Sequence, residues 1–153
     1  MLKIMFVCHG NICRSPMAEF IFKKMIKDRG LDSKYSVSSS ATSTEEIGNT
    51  IYPPAKAELR ARGVEFSYDK RAVQIRKDDY NKYDLFVGMD GANIRNMNRI
   101  FGADPGCKIR KLMDYTGKGG DVSDPWYSDR FDIAFDDIYE GCECLLNELE
   151  SKT

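Results

Sequence analysis

Val7-Cys8-His9-Gly10-Asn11-Ile12-Cys13-Arg14-Ser15-Pro16 lies between a predicted strand and a predicted helix. Residues 2–7 are apolar except for Lys3, and their β-branched and aromatic side chains predict a buried strand. Ser15-Pro16 predicts the helix start, since serine can cap a helix and proline suits its first position. The loop and first-turn N–H groups have no intrahelical partners, so this arrangement predicts an anion site. Cys8 and Arg14 would face its centre, which suits a tetrahedral oxyanion such as phosphate.

Strand and helix patterns alternate along the rest of the chain. Further strands are predicted at 35–40, 85–89 and 107–112, and helices at 16–29, 53–62, 90–101 and 131–149. This alternation indicates an α/β fold, a single domain over residues 1–153 with a four-stranded parallel sheet and helices on both faces. Ligands in such folds bind at the carboxyl ends of strands, which is where Cys8 falls. The Gly- and Asp-rich residues 113–130 predict a long loop, which is either functional or disordered.

Composition excludes several classes of protein. The 24 acidic and 23 basic residues nearly cancel, so no basic field indicates nucleic acid or a membrane surface as partner. The apolar N-terminal run of about six residues is too short for a signal peptide or membrane span. Five cysteines are an odd count, which favours reduced thiols in the cytoplasm over a disulfide framework.

The chain contains one histidine, His9, so a multi-histidine metal site is impossible. It contains no Cys-x-x-Cys pair, which disfavours structural zinc, and we expect neither a metal nor a cofactor. A Cys–His protease dyad would have to use His9, whose side chain is adjacent in sequence to Cys8 and would point elsewhere. Activation of Cys8 must therefore come mainly from loop amides, Arg14 and the helix end.

Three motifs occur in a fixed order. The first motif, at residues 7–19, is Val-Cys-x-Gly-Asn-Ile-Cys-Arg-Ser-Pro-Met-Ala-Glu. The second, mid-chain, is Met89-Asp90-x-x-Asn93, and the third, before the last predicted helix, is Asp124-Pro125-Trp126-Tyr127. In this order, over essentially the whole chain, they resemble the low-molecular-weight protein tyrosine phosphatases. The resemblance implies hydrolysis of phosphotyrosine in protein substrates, through a phosphocysteine on Cys8, with phosphate or sulfate able to occupy the loop.

The residue types suit that chemistry. A thiolate attacks phosphorus in line, and amides and helix end would lower the Cys8 pKa to within about 3.5–7.5. The planar fork of Arg14 matches two phosphoryl oxygens, which a lysine cannot copy. Asp124 is the candidate general acid for the leaving phenolate and then the base toward water, a path that needs no metal. Pro125 favours extended backbone at Asp124.

The resemblance also implies supporting roles within the loop. Asn11 tolerates a left-handed conformation and would tie the loop together, while Ser15 would donate to the Cys8 sulfur. Cys13 is either a packing residue or a reversible disulfide partner of Cys8. The loop residues expected to contact substrate are His9, Gly10, Asn11, Ile12, Cys13 and Ser15.

An aromatic slot is expected beside the loop. Trp126, Tyr127 and Tyr52 would line a slot for a phenyl ring, although Trp126 and Tyr127 could instead be core aromatics. The sequence departs from the family pattern at Glu45, where a bulky aromatic is frequent, and at Lys70-Arg71-Ala72-Val73, which lacks the usual histidine. We therefore expect a peptide preference shifted away from acidic flanks.

Three other functions use similar residues. An arsenate reductase shares the loop but requires further thiols on a mobile segment, and residues 85–95 contain none. A protein-arginine phosphatase is expected to carry threonine where Ile12 stands. A phosphopeptide-binding module would need neither Cys8 nor Asp124.

Overall fold

The sheet is parallel throughout, and the candidate site lies at the end of one of its central strands. The computed structural model describes residues 1–152, in which four strands form one sheet: β1 (Leu2–Cys8), β2 (Tyr35–Ala41), β3 (Leu85–Gly88) and β4 (Ile109–Lys111). The strand order is β2-β1-β3-β4, with every neighbouring pair parallel. The predicted parallel sheet of four strands is thus confirmed. Since β1 has a neighbour on each side, Cys8 ends a central strand.

Helices connect the strands and cover the sheet. They are α1 (Arg14–Asp28), α2 (Pro53–Ala61), α3 (Gly91–Phe101), the one-turn α4 (Pro125–Ser128) and α5 (Phe131–Ser151). Two 3₁₀ helices span Lys77–Asn81 and Leu112–Thr116. None of the helices in residues 1–152 is long and apolar enough to cross a membrane.

Each face of the sheet buries its own core. Side chains alternate along a strand, so Ile4 and Phe6 of β1 enter the core shared with α1, α2 and α5. Met5 and Val7 enter a second, smaller core on the α3 side. The prediction of helices on both faces is therefore confirmed.

The helix that follows the loop begins differently from the prediction. It starts at Arg14, its N-cap is Cys13, and no side chain caps it. Ser15 is not the cap because its hydroxyl is turned inward, toward Cys8 and Asn11. The C-terminal end is as expected, with Gly30 at a positive φ of 68° just beyond the helix.

The other boundaries shift by a few residues. The last strand occupies only 109–111 of the predicted 107–112, because a 3₁₀ helix begins at Leu112. The predicted loop 113–130 is wrong in part, since it contains the end of that 3₁₀ helix and the whole of α4. Asp90 caps α3 as predicted, by accepting a hydrogen bond from the Asn93 N–H.

Candidate active site

The loop between β1 and α1 curls around the sulfur of Cys8. The Asn11 backbone N–H donates to Cys8 Sγ at 3.2 Å, and the Ser15 hydroxyl lies 3.0 Å from the same sulfur. Cys8 is only 4% exposed, yet it lines an open cleft. Two hydrogen-bonding groups therefore hold this sulfur where the loop meets the N-terminus of α1.

Asn11 holds the loop in its curled shape. Its φ of 60° is the left-handed conformation that the family resemblance implies Asn11 can tolerate. Its side-chain NH₂ donates to the Ser15 and Ser39 hydroxyls at 2.8 and 3.0 Å. Its carbonyl accepts from Lys70 Nζ at 2.9 Å and from the Val73 N–H at 3.2 Å. The loop is therefore tied to β2 and to the segment after α2.

Arg14 is buried and extends toward the cleft. Its Nη2 lies 2.9 Å from Asp90 Oδ2 and 3.5 Å from Asp124 Oδ2, and its Nη1 donates to the Val122 carbonyl at 3.2 Å. Only 4% of it is exposed, so it is not a surface cation of the helix. Burial lowers the pKa of the guanidinium, but the negative charges of Cys8, Asp124 and Asp90 outweigh it and the net shift is upward. The charge is therefore held in one orientation.

Asp124 comes from the segment that follows β4. It is the N-cap of α4, and its Oδ1 accepts a hydrogen bond from the Trp126 N–H at 3.1 Å. Pro125 occupies the first helical position, and Asp124 has the extended backbone predicted for the residue before it. The second carboxylate oxygen of Asp124 faces Arg14, so it lies at the same cleft as Cys8.

The cleft has a volume of about 460 Å³. The structure places in its lining most of the predicted site residues, namely Cys8, His9, Gly10, Asn11, Ile12, Cys13, Arg14, Glu45, Asp124, Trp126 and Tyr127. Two predicted residues are not in the lining. Ser15 is fully buried behind the loop and reaches the site through the Cys8 sulfur, and Tyr52 contacts the ring of Trp126 without lining the cleft. Five further residues line the cleft without having been predicted: Glu46, Asp90, Ala92, Asn93 and Asn96.

Aromatic rings form one wall of the cleft. Trp126 is 53% exposed and Tyr127 is 87% exposed, so the alternative that they are core aromatics is wrong. The rings of Tyr52 and Trp126 lie 5.2 Å apart between centroids, and Tyr52 stacks in turn on Phe131. Tyr52 therefore packs against Trp126, which lines the cleft and is still half-exposed.

Part of the cleft rim is acidic, where Glu45 and Glu46 line it. His9 Nε2 lies 2.9 Å from Glu45 Oε2, and both side chains are more than half exposed. Such an exposed pair contributes about 0–1 kcal/mol, so it is easily displaced by a ligand. Glu45 thus supplies a carboxylate at the position where the family pattern frequently has a bulky aromatic residue.

The second cysteine of the loop differs from the first. Burial, together with the charges of Cys8 and Asp124, raises the pKa of Cys13 to about 12. All five cysteines are free thiols, and Cys142 is buried in the core as a packing residue. In residues 1–152, no three His, Cys, Asp or Glu side chains are grouped so that they could hold a metal ion.

Sequence reasoning missed two contacts of the site. Asp90 was identified as a helix cap only, although its second oxygen pairs with Arg14. Lys70 was noted only as a departure from a pattern, although its ammonium also donates to the Ser39 carbonyl at 3.2 Å. The available signal for Asp90 was a helix cap within a motif, whereas Lys70, which stands between Asp69 and Arg71, carried no local signal.

Comparison with known proteins gives one consistent family. A family model described as low molecular weight phosphotyrosine protein phosphatase matches residues 3–153. The chain is 34% identical over 154 residues to the low molecular weight protein-tyrosine-phosphatase YfkJ of Bacillus subtilis, covering 99% of this chain and 98% of that one. It is 36% identical over 142 residues to the human low molecular weight phosphotyrosine protein phosphatase, covering 91% of this chain and 87% of the human protein.

Solved structures agree with this assignment. The crystal structure of YfkJ from Bacillus subtilis superposes with a TM-score of 0.95 at 34% identity, over 100% of this chain and 97% of that chain. The crystal structure of DARP, a Drosophila arginine phosphatase, superposes with a TM-score of 0.90 at 28% identity, over 99% of this chain and 100% of that chain.

Proposed function

The chain belongs to the low molecular weight phosphotyrosine protein phosphatase family, and we propose that it hydrolyses phosphotyrosine in proteins through a phosphocysteine on Cys8. Family membership makes it a hydrolase of phosphoric monoesters. The observation that carries the residue assignment is the meeting of three groups at one cleft: the Cys8 sulfur, the Arg14 guanidinium and the Asp124 carboxylate.

Binding begins with the phosphoryl group in the loop. The backbone N–H groups of the loop and first turn of α1 donate to its oxygens, and the planar fork of Arg14 spans two of them. Asp90 keeps one edge of the guanidinium fixed, so the fork does not have to be ordered when the substrate arrives.

In the first step the Cys8 thiolate attacks phosphorus. An S–P bond forms as the bond between phosphorus and the phenolic oxygen breaks. Asp124, protonated at this stage, gives its proton to that oxygen, so the product leaves as a neutral phenol. Arg14 and the amides hold the equatorial oxygens as their charge redistributes.

In the second step water attacks the phosphocysteine. The Asp124 carboxylate takes a proton from the water, an O–P bond forms and the S–P bond breaks, which releases inorganic phosphate. The sulfur leaves as a thiolate. The Ser15 hydroxyl, 3.0 Å from this sulfur, stabilises it by donating a hydrogen bond.

The aromatic wall favours an aryl substrate over an alkyl one. Trp126 and Tyr127 offer open ring faces beside the loop, at the position where the phenyl ring of phosphotyrosine would lie. We propose a phosphoprotein substrate in a reducing compartment, the cytoplasm, and a single catalytic domain spanning residues 1–153. Arginine phosphatase activity, after which DARP is named, is the second candidate on this scaffold.

Hydrolysis of aryl phosphates in the presence of a chelator tests the proposal. We expect activity that Cys8→Ser abolishes and that Asp124→Ala reduces most for phenols of high pKa. Equal activity in Cys8→Ser would reject the mechanism. Phosphoarginine turned over faster than phosphotyrosine peptides would favour the second candidate, and thioredoxin-dependent arsenate reduction would favour a reductase.

A further inference from the structure

The peptide that precedes Asp124 is attached to α5 through a carboxylate. The Ser123 backbone N–H donates to Asp137 Oδ2 at 3.0 Å. Asp137 is half-buried and lies between Ala134 and Ile138, whose side chains are fully buried in the core. The acceptor therefore belongs to one of the most firmly packed helices, 14 residues further along the chain.

The same peptide group also contacts Arg14. The Val122 carbonyl accepts from Arg14 Nη1 at 3.2 Å, and this carbonyl and the Ser123 N–H belong to one planar peptide unit. Arg14 thus holds one side of the plane and Asp137 the other. The next residue along the chain is Asp124.

The segment before Val122 is held by two ion pairs that do not involve the Val122–Ser123 peptide: Lys118 Nζ lies 2.9 Å from Glu140 Oε2, and Lys111 Nζ lies 3.2 Å from Asp121 Oδ1. Gly117, Gly119 and Gly120 all have positive φ, so the chain entering the segment is intrinsically permissive. Val122 N–H donates to the Met89 carbonyl at 2.9 Å, which fixes the segment at a point before the peptide in question. Rotation of the Val122–Ser123 peptide is thus opposed by Arg14 and Asp137 together.

We propose that Asp137 is a positioning residue for the general acid. By holding the Val122–Ser123 peptide plane against Arg14, it fixes the direction in which the Asp124 carboxyl points. The inference rests on the proposed role of Asp124 and assigns Asp137 no contact with substrate. Without the carboxylate, the plane can turn and Asp124 spends less time within reach of the leaving oxygen.

Leaving-group dependence isolates this effect from general damage. We would measure kcat/KM for phenyl phosphate and dinitrophenyl phosphate. This quantity reports the step in which the bond between phosphorus and the aryl oxygen breaks. Dinitrophenolate leaves without a proton, whereas phenolate needs one. Asp137→Ala is expected to lower kcat/KM about tenfold for phenyl phosphate and less than about twofold for dinitrophenyl phosphate. The tenfold loss is a part of the loss expected when the general acid itself is removed.

Two variants serve as controls. Asp137→Asn removes the charge but keeps an oxygen that can accept from Ser123 N–H, so it should retain kcat/KM within about twofold. Asp136→Ala removes the adjacent α5 carboxylate, which pairs with Arg62 instead, and should leave both substrates unchanged. Alanine is tolerated in helices, and the thermal midpoint of each variant verifies folding.

The outcomes separate this inference from the proposed function. A loss equal for both substrates, no loss, or an Asp137→Asn variant as impaired as Asp137→Ala would overturn the positioning role. In the Asp124→Asn background, Asp137→Ala should add less than about twofold, because the acid it positions is already gone. If Asp124→Asn lowered kcat/KM equally for phenyl phosphate and dinitrophenyl phosphate, the proposed role of Asp124 and this inference would both fail. If Asp124→Asn lowered kcat/KM mainly for phenyl phosphate and Asp137→Ala did not, this inference alone would fail.

Discussion

Replacing Asn11 by alanine should both unfold the loop and remove most activity. The side chain makes four hydrogen bonds, of which those to the Ser15 and Ser39 hydroxyls are buried. Losing each buried bond costs about 1–2 kcal/mol, and left-handed backbone costs alanine about 1 kcal/mol more. The bonds to Lys70 and Val73 are only part-buried, so water can replace them at little cost. The expected loss in the free energy of unfolding is therefore about 3–5 kcal/mol.

Urea unfolding of Asn11→Ala and Asn11→Gly measures this loss and separates its two causes. Glycine lacks the same hydrogen bonds but accepts a φ of 60° freely, so it should recover about 1 kcal/mol relative to alanine. Both variants should lose roughly a hundredfold in kcat/KM for an aryl phosphate, since the loop no longer holds the sulfur in place. An alanine variant within about 1 kcal/mol of the parent, or a glycine variant no better than alanine, would refute the reasoning.

Three further predictions concern the thiols, the cleft rim and the half-buried Lys70. At neutral pH iodoacetamide should label Cys8 and spare Cys13, whose pKa burial raises to about 12; mass spectrometry showing Cys13 labelled first would contradict this. Glu45→Lys should raise kcat/KM for phosphopeptides with acidic flanks roughly fivefold, about 1 kcal/mol, with the gain shrinking in salt. An equal gain for neutral peptides would exclude a charge effect. Burial lowers the pKa of Lys70, so between that lowered value and 10.5 the unfolded chain binds a proton that the native one has released. Stability relative to Lys70→Met should therefore rise with pH through this window in paired thermal scans, and a fall would refute the assignment.

The parts of the site that depend on local sequence could be predicted. The apolar run before Cys8, the Gly-Asn turn and the following helix are neighbours in the chain, so their residue types determine the loop directly. The left-handed Asn11 and the Asp90 cap are of this kind. The predicted cap at Ser15 was wrong because the hydroxyl has better partners in the Cys8 sulfur and Asn11.

The parts that depend on distant packing could not be predicted. Lys70 reaches Asn11 across 59 positions, and Arg14 reaches the Val122 carbonyl across 108. No periodicity or short motif encodes which charged side chain meets which backbone group at such separations. The exposure of Trp126 and Tyr127 could not be predicted either. An aromatic pair after Asp-Pro is compatible with a core or with a cleft wall until the helices are placed.

The most direct test is to look for the phosphorylated enzyme itself. Mixing the protein with an aryl phosphate, quenching within milliseconds and sequencing its peptides by mass spectrometry locates any phosphoryl group. We predict a phosphocysteine on Cys8 that forms before inorganic phosphate is released and is absent from Cys8→Ser. Release of phosphate with no enzyme-bound intermediate, or a phosphoryl group on His9 instead, would contradict the account.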